Sequence, residues 1–189
     1  MVDIKPLAYL DPHDIRRLNN GYTSSAIYRV SKTTSPAATT FRLERVVLAQ
    51  PYVKRWETDE EELGQLQKAV AAGFSLGAYI DQNMIGIAIA EPRRWNRSLW
   101  VWEFHVSPAC RRQGVGRHLM QALIQKAREA KLRVLVCETQ NTNAPAIAFY
   151  RKMGFEIEGI DLSYYTNQDL ELGEVAIFMK YKIEPGDYA

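Results

Sequence analysis

The feature that most constrains the fold is a strand-like apolar run that leads into an amphipathic segment through a basic, glycine-containing turn. Residues 98–108 (SLWVWEFHVSP) are nearly all apolar or aromatic, which predicts a central β-strand. Residues 114–131 repeat apolar side chains with the period of a helix, on a face formed by Val115, Leu119, Ala122, Leu123 and Ala127. We therefore predict a mixed α/β domain.

Periodicity and capping signals predict the other elements. Before the junction we expect a strand at 3–9, a helix at 11–20, a polar loop at 31–40 and a strand followed by a loop at 41–56. A helix at 58–73, with Thr58 as its N-cap, and two strands within 74–92 come next. After the junction we expect a strand at 132–139, a helix at 143–154, and strands at 155–165 and 173–183. No repeat or linker divides the chain, so residues 1–189 are expected to form a single domain.

The composition argues against several classes of protein. The net charge of +2 is too small for a general polyanion binder, so we expect no nucleic-acid partner. No apolar run reaches the roughly 18 residues of a membrane helix, and the first residues have no signal-peptide core. We therefore expect a cytoplasmic protein with no membrane partner. The two cysteines, Cys110 and Cys137, and three scattered histidines form no metal-ligand pattern, so no metal is expected.

The turn at the junction, Arg111–Gly116 (RRQGVG), has the ingredients of an anion site. A helix N-terminus exposes unpaired N–H groups and partial positive charge, which suit a phosphate. Gly114 and Gly116 let the backbone approach a ligand closely, and the arginines add charge-assisted donors. The stretch lacks the P-loop pattern, and Leu119 replaces the last glycine of the dinucleotide fingerprint. A glycine-containing turn with solvated arginines remains the alternative.

Two separate motifs resemble the GNAT superfamily of N-acetyltransferases. The segment HVSPACRRQGVGRHLMQALI resembles its acetyl-coenzyme A signature, R/Q-x-x-G-x-G/A. About 30 residues later, a second family pattern is matched by Asn143, Ala146, Phe149, Tyr150, Gly154 and Phe155. The resemblance implies an α/β (α+β) fold with a mixed, mostly antiparallel central sheet of about six to seven strands, flanked by helices on both faces. It also implies direct acetyl transfer from acetyl-CoA, the cosubstrate, to a primary amine.

The resemblance implies a set of cofactor-binding residues. The backbone amides of Arg111, Arg112, Gln113, Gly114, Val115, Gly116 and Arg117 would hold the pyrophosphate. The strand edge at Phe104, His105 and Val106 would pair with the pantetheine arm. The helix that carries Asn143, Ala146, Phe149 and Tyr150 would contact the same arm, although Asn143 also suits a plain helix N-cap.

Two residues are the predicted catalytic groups. Tyr150 is the candidate general acid for the departing thiolate, with an aromatic core residue as the alternative. Glu103 is the candidate base, because a carboxylate inside an apolar strand has a raised pKa when buried. Period-two alternation puts His105 on the same face, as a rival base or as the partner of Glu103. A salt bridge or an anchor for a substrate ammonium is an equal alternative role for Glu103. Cys110, beside the arginines, is read as a small loop residue rather than a nucleophile.

A narrower resemblance links PYVKRW, GAYIDQNMIG and GIDLSYYTN to the streptothricin acetyltransferases, which acetylate a cationic antibiotic. It implies a small polycationic amine acceptor, with Asp161 and Tyr164 as its contacts. Other carboxylates and aromatic residues in the expected acceptor region are Glu44, Tyr52, Trp56, Glu57, Asp59–Glu62, Trp95, Tyr165 and Glu174. The acidic run Asp59–Glu62 is more simply a solvated first helical turn.

Three alternatives stay open from the sequence. One is a protein N-terminus or lysine as the acceptor, which would require an open groove. Another is a non-catalytic module that binds acyl-CoA, because most of the motif residues serve binding rather than chemistry. Monomer and homodimer are both compatible with the sequence.

Overall fold

A computed structural model of the chain describes residues 2–19, 21–55 and 59–184. In chain order its elements are β1 (Asp3–Pro6), α1 (Pro12–Leu18), β2 (Tyr22–Thr34), β3 (Thr39–Lys54), α2 (Glu60–Ala71), β4 (Leu76–Ile80), β5 (Asn83–Arg93), β6 (Ser98–Val106), α3 (Val115–Glu129), β7 (Val134–Gln140), α4 (Ala144–Lys152), β8 (Glu156–Asp161), α5 (Asp169–Leu172) and β9 (Ala176–Lys182). The chain divides into two compact units, the first formed by 1–20, 56–137 and 181–189, the second by 21–55 and 138–180.

The main sheet has seven strands in the order β1-β4-β5-β6-β7-β9-β8, and β2 pairs only with β3 in a separate two-stranded sheet. Among the registers that the structure describes, β6 with β7 is parallel and the others are antiparallel. The predicted mixed, mostly antiparallel sheet of six to seven strands is therefore confirmed. No helix in the described part of the chain is long and apolar enough to cross a membrane.

In the first unit, the helices form where capping residues and apolar stripes coincide. The Asp11 carboxylate accepts from the His13 amide at 2.8 Å and starts α1, and the Asp59 carboxylate accepts from the Glu62 amide at 2.8 Å and starts α2. Thr58, the predicted N-cap of α2, lies outside the described residues. Side chains from both helices and from β5 pack into one core cluster, which includes Leu10, Ile15, Leu18, Leu63, Leu66, Val70, Ile87 and Ile89.

The predicted junction between a central strand and an amphipathic helix is formed by β6 and α3. Leu119, Leu123 and Ala127 on α3 are buried, as are Leu99 and Val101 on β6. The N-terminal half of β6 pairs in parallel with β7, from Ser98 opposite Val134 to Val101 opposite Cys137. This packing fixes the start of α3 at the end of β6, where the basic turn lies.

The largest error of the sequence analysis concerns the second unit. The segment 31–40 is not a loop over its whole length, because β2 runs to Thr34 and β3 begins at Thr39. Only a tight turn separates them, in which the amides of Ser35 and Ala38 donate to each other's carbonyl oxygens at 2.8 and 3.3 Å. The strand at 22–34 was not predicted, and the loop expected after the first residues of 41–56 is strand as far as Lys54. The ribbon is exposed and polar at its tip, so its residues carry the composition of a loop while their backbones pair.

Smaller differences lie near the C-terminus. The strand predicted at 155–165 ends at Asp161, and the short helix α5 was not predicted. The turn between them is held by the buried Asp169 carboxylate, which accepts from the Tyr165 amide at 2.8 Å and from the Thr166 amide and hydroxyl at 2.7 Å each. These side-chain bonds replace a continued strand ladder.

Candidate active site

The basic turn of the first unit presents a helix N-terminus without a side-chain cap. The backbone takes a positive φ at Arg112 (60°) and at Gly114 (86°), which is the N-cap of α3. Gly114 has no side chain with which to accept from the first amides of the helix, and Arg111 to Gly114 are exposed. The N–H groups of Val115, Gly116 and Arg117 have no intrahelical acceptors, so they face outward with the positive end of the helix dipole.

Two side chains stabilise this turn from within. The Arg111 Nε donates to the Val106 carbonyl oxygen at 3.1 Å, and the Gln113 Nε2 donates to the Ala109 carbonyl oxygen at 2.8 Å. Arg111 therefore lies across the end of β6, and its charge is held at the start of α3. This arrangement of amides, arginines and a glycine with positive φ fits a pyrophosphate group.

The C-terminal half of β6 offers a strand edge. Its described parallel register with β7 ends at Val101, whereas β5 continues to pair with β6 up to Gly86 opposite Val106. In this part of the strand, Phe104, His105 and Val106 are paired on the β5 side. The backbone N–H and C=O groups of such a strand are those with which an extended ligand with amide groups pairs.

Glu103 and His105 lie together on β6, just after a bulge. Ile89 faces Glu103 and Ala90 faces Val101, so Trp102 is the additional residue of the bulge. The His105 Nε2 is hydrogen-bonded to the Glu103 Oε2, and both side chains are largely buried. The prediction that the two residues share one face, with His105 as a partner of Glu103, is therefore correct in geometry.

A third ionisable group, Glu62 of α2, belongs to the same surroundings. Burial raises the pKa of Glu62, and the negative charges of Glu103 and Asp59 raise it further. The sequence analysis read Asp59–Glu62 as a solvated first turn, which is wrong for Glu62, since its side chain is partly buried. The other members fit that description, because Glu60 is exposed and pairs with Arg16 at 2.5 Å.

In the second unit, α4 carries the other predicted residues. The Asn143 Oδ1 accepts from the Ala146 amide at 3.2 Å, so Asn143 is the N-cap of α4. Tyr150 is only 7% exposed, and its ring lies 5.5 Å from those of Phe149 and Phe155. The tyrosine ring is thus part of an aromatic core.

Asn141, which the sequence analysis missed, is a buried hydrogen-bonding residue just before the start of α4. Its Nδ2 donates to the carbonyl oxygens of Tyr28 and Gly173 at 2.7 and 3.2 Å, and its Oδ1 accepts from the Val175 amide at 2.7 Å. The residue is 2% exposed. The Asn141 side chain, two residues before the Asn143 cap, thus links strand β2 to the residues just before β9. No local sequence pattern predicts this role.

Of the predicted acceptor contacts, Asp161 is the last residue of β8 and Tyr164 follows that strand. The Asp161 carboxylate accepts from the Ser163 amide at 3.0 Å, and the exposed Tyr164 ring packs edge-on against Tyr165 and Phe178, with centroids 5.2 and 5.4 Å away. The Tyr165 hydroxyl donates to Glu138. Burial raises the pKa of Tyr165 above its ordinary value, and the charge of Glu138 adds to the shift, so this hydroxyl stays protonated.

The remaining candidates are distributed widely. Tyr52 and Glu174 lie in the second unit, near Tyr22 and Lys54. Glu44 pairs with Arg42 at 3.4 Å on the exposed part of the ribbon, and Trp95 is 84% exposed at the turn between β5 and β6. Trp56 and Glu57 lie outside the described residues. The structure therefore assembles only part of the predicted acceptor region.

Comparison with known proteins decides the family. Residues 43–155 match the model of the acetyltransferase (GNAT) family, and the chain is 33% identical over 174 residues to a streptothricin acetyltransferase of Streptomyces lavendulae, a match covering 89% of this chain and 88% of that protein. The chain belongs to the GNAT family of acetyltransferases. It is an N-acetyltransferase that depends on acetyl-CoA.

Solved structures agree with this membership. The crystal structure of a nourseothricin acetyltransferase superposes with a TM-score of 0.75 at 30% identity, covering 97% of this chain and 99% of that one. A Bacillus anthracis protein solved in complex with acetyl coenzyme A shares the fold, with a TM-score of 0.70 at 22% identity, over 97% and 98% of the two chains. In this GNAT acetyltransferase, the uncapped start of α3 fits the pyrophosphate of that cosubstrate. Among the residues the structure describes, no group of three or more His, Cys, Asp or Glu is arranged for a metal ion.

Proposed function

We propose that the protein transfers the acetyl group of acetyl-CoA directly to a primary amine of a small polycationic acceptor, with streptothricin as the first candidate. The observation that carries the proposal is the 33% identity to a streptothricin acetyltransferase over 89% of this chain. The tyrosines and carboxylates around Tyr22, Tyr165 and Glu174 support it, because aromatic faces and carboxylates bind alkylammonium groups.

The cosubstrate would be bound by backbone more than by side chains. The amides of Arg111 to Arg117 and the positive end of α3 hold the pyrophosphate, and the arginine side chains neutralise its charge. The edge of Phe104 to Val106 pairs with the pantetheine amides. Asn143, Ala146 and Phe149 at the start of α4 contact the same arm.

The chemistry needs a base, because an alkylamine with a pKa of about 10.4 is protonated at neutral pH. Glu103 takes the amine proton, directly or through water, and His105 orients its carboxylate through their hydrogen bond. The nitrogen lone pair then attacks the thioester carbonyl carbon, and the bond from that carbon to sulfur breaks. Tyr150 gives its hydroxyl proton to the departing thiolate. The amide nitrogen then releases its second proton to the Tyr150 phenolate, directly or through water, so the products are a neutral amide and the free thiol of coenzyme A, with the Tyr150 hydroxyl restored.

The acceptor would contact Asp161 and Tyr164. Tyr164 is exposed, and its edge-on packing against Tyr165 and Phe178 fixes the orientation of its ring. An aromatic face of fixed orientation binds a cation at lower entropic cost than a mobile one. Asp161 adds negative charge beside it.

The test is turnover of acetyl-CoA, followed by free-thiol release, with a panel of amines. The panel contains streptothricin, spermidine, aminoglycosides, and peptides with free N-termini or lysines. Rapid turnover of streptothricin supports the proposal. A preference for peptides overturns the proposed acceptor and favours a protein acetyltransferase, while coenzyme A binding without turnover of any amine favours a non-catalytic acyl-CoA module.

A further inference from the structure

The second unit contains an ammonium group that is already bound by a carboxylate among aromatic rings. The Lys54 Nζ lies 2.7 and 2.8 Å from the two oxygens of Glu174, and the two side chains are 30% and 25% exposed. Lys54 comes from the end of β3, and Glu174 lies just before β9. Both oxygens of one carboxylate therefore bind a single primary ammonium.

Two tyrosines lie beside Lys54 in the register of the ribbon. Tyr22 of β2 lies directly opposite Lys54, and Tyr52 is two residues earlier on β3, so all three side chains point to the same face of the ribbon. The rings of Tyr22 and Tyr52 are 6.1 Å apart, and the Tyr22 hydroxyl is hydrogen-bonded to the Thr142 hydroxyl at 2.6 Å. Burial raises the pKa of Tyr22, and the charges of Tyr52 and Glu174 raise it further, which places Glu174 within electrostatic reach of this hydroxyl.

The Glu174 carboxylate binds a primary alkylammonium, that of Lys54, beside these tyrosines. A carboxylate supplies the charge, and neighbouring aromatic rings supply attractive faces in a partly desolvated site. The Lys54 ammonium is attached to a flexible stem of four carbons and is partly exposed, so it can move into water at small cost. A ligand ammonium that takes its place keeps the Glu174 carboxylate paired.

We infer that Glu174 binds a second, non-reacting ammonium of the acceptor, and that Lys54 occupies this subsite until the acceptor arrives. The inference rests on the proposed function. The ammonium at Glu174 cannot be the nucleophile, because a carboxylate partner stabilises the protonated form and the reacting nitrogen must be neutral. The acceptor class is therefore a molecule with at least two amino groups.

The first test is the steady-state kinetics of three variants with streptothricin as acceptor. Lys54→Met removes the competing ammonium, so KM for streptothricin falls roughly tenfold with kcat unchanged, whereas Glu174→Gln raises it at least about tenfold. Lys180→Met is the matched control, because Lys180 also pairs with a carboxylate of this unit, Glu158, at 3.6 Å and 36% exposure. KM for acetyl-CoA stays constant in all three.

Lys54→Arg covers the case in which Lys54→Met does not fold. Arginine keeps the charge and binds a carboxylate through two parallel N–H donors, so it occupies Glu174 more firmly and raises KM for streptothricin. An unchanged KM in Lys54→Arg, or a raised KM in folded Lys54→Met, overturns the inference.

The second test does not depend on turnover. Lys54 is compared with Lys180 for modification by trace reductive methylation, with and without streptothricin or spermidine, and read out by mass spectrometry. Release of Lys54 increases its modification relative to Lys180. If the wild-type protein turns over streptothricin but streptothricin leaves the modification ratio unchanged, the subsite is overturned while the proposed function stands. Absence of streptothricin turnover by the wild-type protein overturns the proposed acceptor, and an unchanged ratio with spermidine then overturns the subsite as well.

Discussion

The His105 imidazole is hydrogen-bonded through Nε2 to the Glu103 carboxylate, two residues earlier on the same face of β6. A bulge at Trp102 precedes the pair, and a second carboxylate, that of Glu62, is near enough for Glu103 to raise its pKa. Strand β6, which pairs in parallel with β7 at its other end, thus carries a largely buried carboxylate that is hydrogen-bonded to a histidine.

This pair predicts different effects for two substitutions. Glu103→Gln removes the base, so kcat falls by about 10²–10⁴. His105→Ala leaves the base but frees its carboxylate, so kcat falls less and KM for acetyl-CoA stays near its wild-type value. The measurement is kcat against pH for both variants. A larger loss in His105→Ala than in Glu103→Gln would identify the histidine as the base instead.

Tyr150→Phe tests the general acid. The phenyl ring keeps the packing against Phe149 and Phe155, so Tm stays close to the wild-type value. Loss of the hydroxyl lowers kcat by about 10²–10⁴ without changing the affinity for acetyl-CoA. The control is Phe155→Leu, which disturbs the same aromatic group without removing a hydroxyl and lies outside the proposed cosubstrate contacts. Equal losses of kcat in the two variants would show that the loss comes from disturbed packing and not from the missing hydroxyl.

Gly114→Ala tests the proposed pyrophosphate cradle, the backbone turn Arg111–Gly116 at the start of α3. The backbone at this residue has φ 86°, where an alanine costs about 1–2 kcal/mol, although its Cβ would make only an ordinary van der Waals contact with the His118 ring at 3.8 Å. We expect weaker binding of coenzyme A and a lower Tm. Gly64→Ala, in the exposed middle of α2 with nothing near its Cβ, should instead stabilise the fold by about 0.5–1 kcal/mol. Calorimetric titration with coenzyme A and thermal unfolding of both variants check this, and unaltered coenzyme A affinity in Gly114→Ala would contradict the cradle.

Asn141→Ala tests the buried amide below α4. The substitution leaves the carbonyl oxygens of Tyr28 and Gly173 and the amide of Val175 without their side-chain partner. Since each such loss costs about 1–3 kcal/mol, the free energy of unfolding in urea should fall by at least ~3 kcal/mol. The exposed Asn83, whose Nδ2 reaches only one carbonyl oxygen at 3.4 Å, is the control, and Asn83→Ala should change stability by about 0.5 kcal/mol or less.

Asp169 predicts a dependence of stability on pH. Burial opposes its ionisation, but hydrogen bonds from the Tyr165 amide and from Thr166 hold its pKa below the ordinary value. A carboxyl whose pKa is lowered by folding stabilises the protein above its unfolded pKa, about 3.9, and this contribution is lost as the pH falls through the folded pKa.

Asp169→Asn should therefore lower Tm at pH 7, and the difference from the wild type should shrink below about pH 4. Thermal unfolding from pH 3 to pH 7 measures both effects. Asp161→Asn is the comparison, because Asp161 accepts bonds only from Ser163 in an exposed turn and should show a smaller difference. A difference for Asp169→Asn that does not change with pH would mean that its charge is not what stabilises the turn.

Local sequence patterns were sufficient to predict β6, the basic turn and α3. The amphipathic face of α3 and the apolar run of β6 are periodic signals within a few residues, and Gly114 marks the helix start between them. Period-two alternation also placed Glu103 and His105 on one face, since the bulge at Trp102 comes before both residues and leaves their spacing intact. The two family motifs then supplied the chemistry.

The long ribbon and the acceptor region depended on tertiary structure. The tip of the β2–β3 ribbon is polar on both strands, so its pairing is invisible to a pattern that looks for apolar alternation. Lys54 and Glu174 are 120 residues apart, and Asn141 bonds a carbonyl 113 residues earlier in the chain. Glu62 became part of the Glu103 surroundings only because α2 packs onto the same unit. The sequence by itself determined the family, the cosubstrate and the elements that carry the motifs, because the motifs and periodic patterns that indicate them each lie within a short stretch of the chain. Folding alone decided which distant charges meet, because burial and Coulomb interactions depend on distance in space and not along the chain.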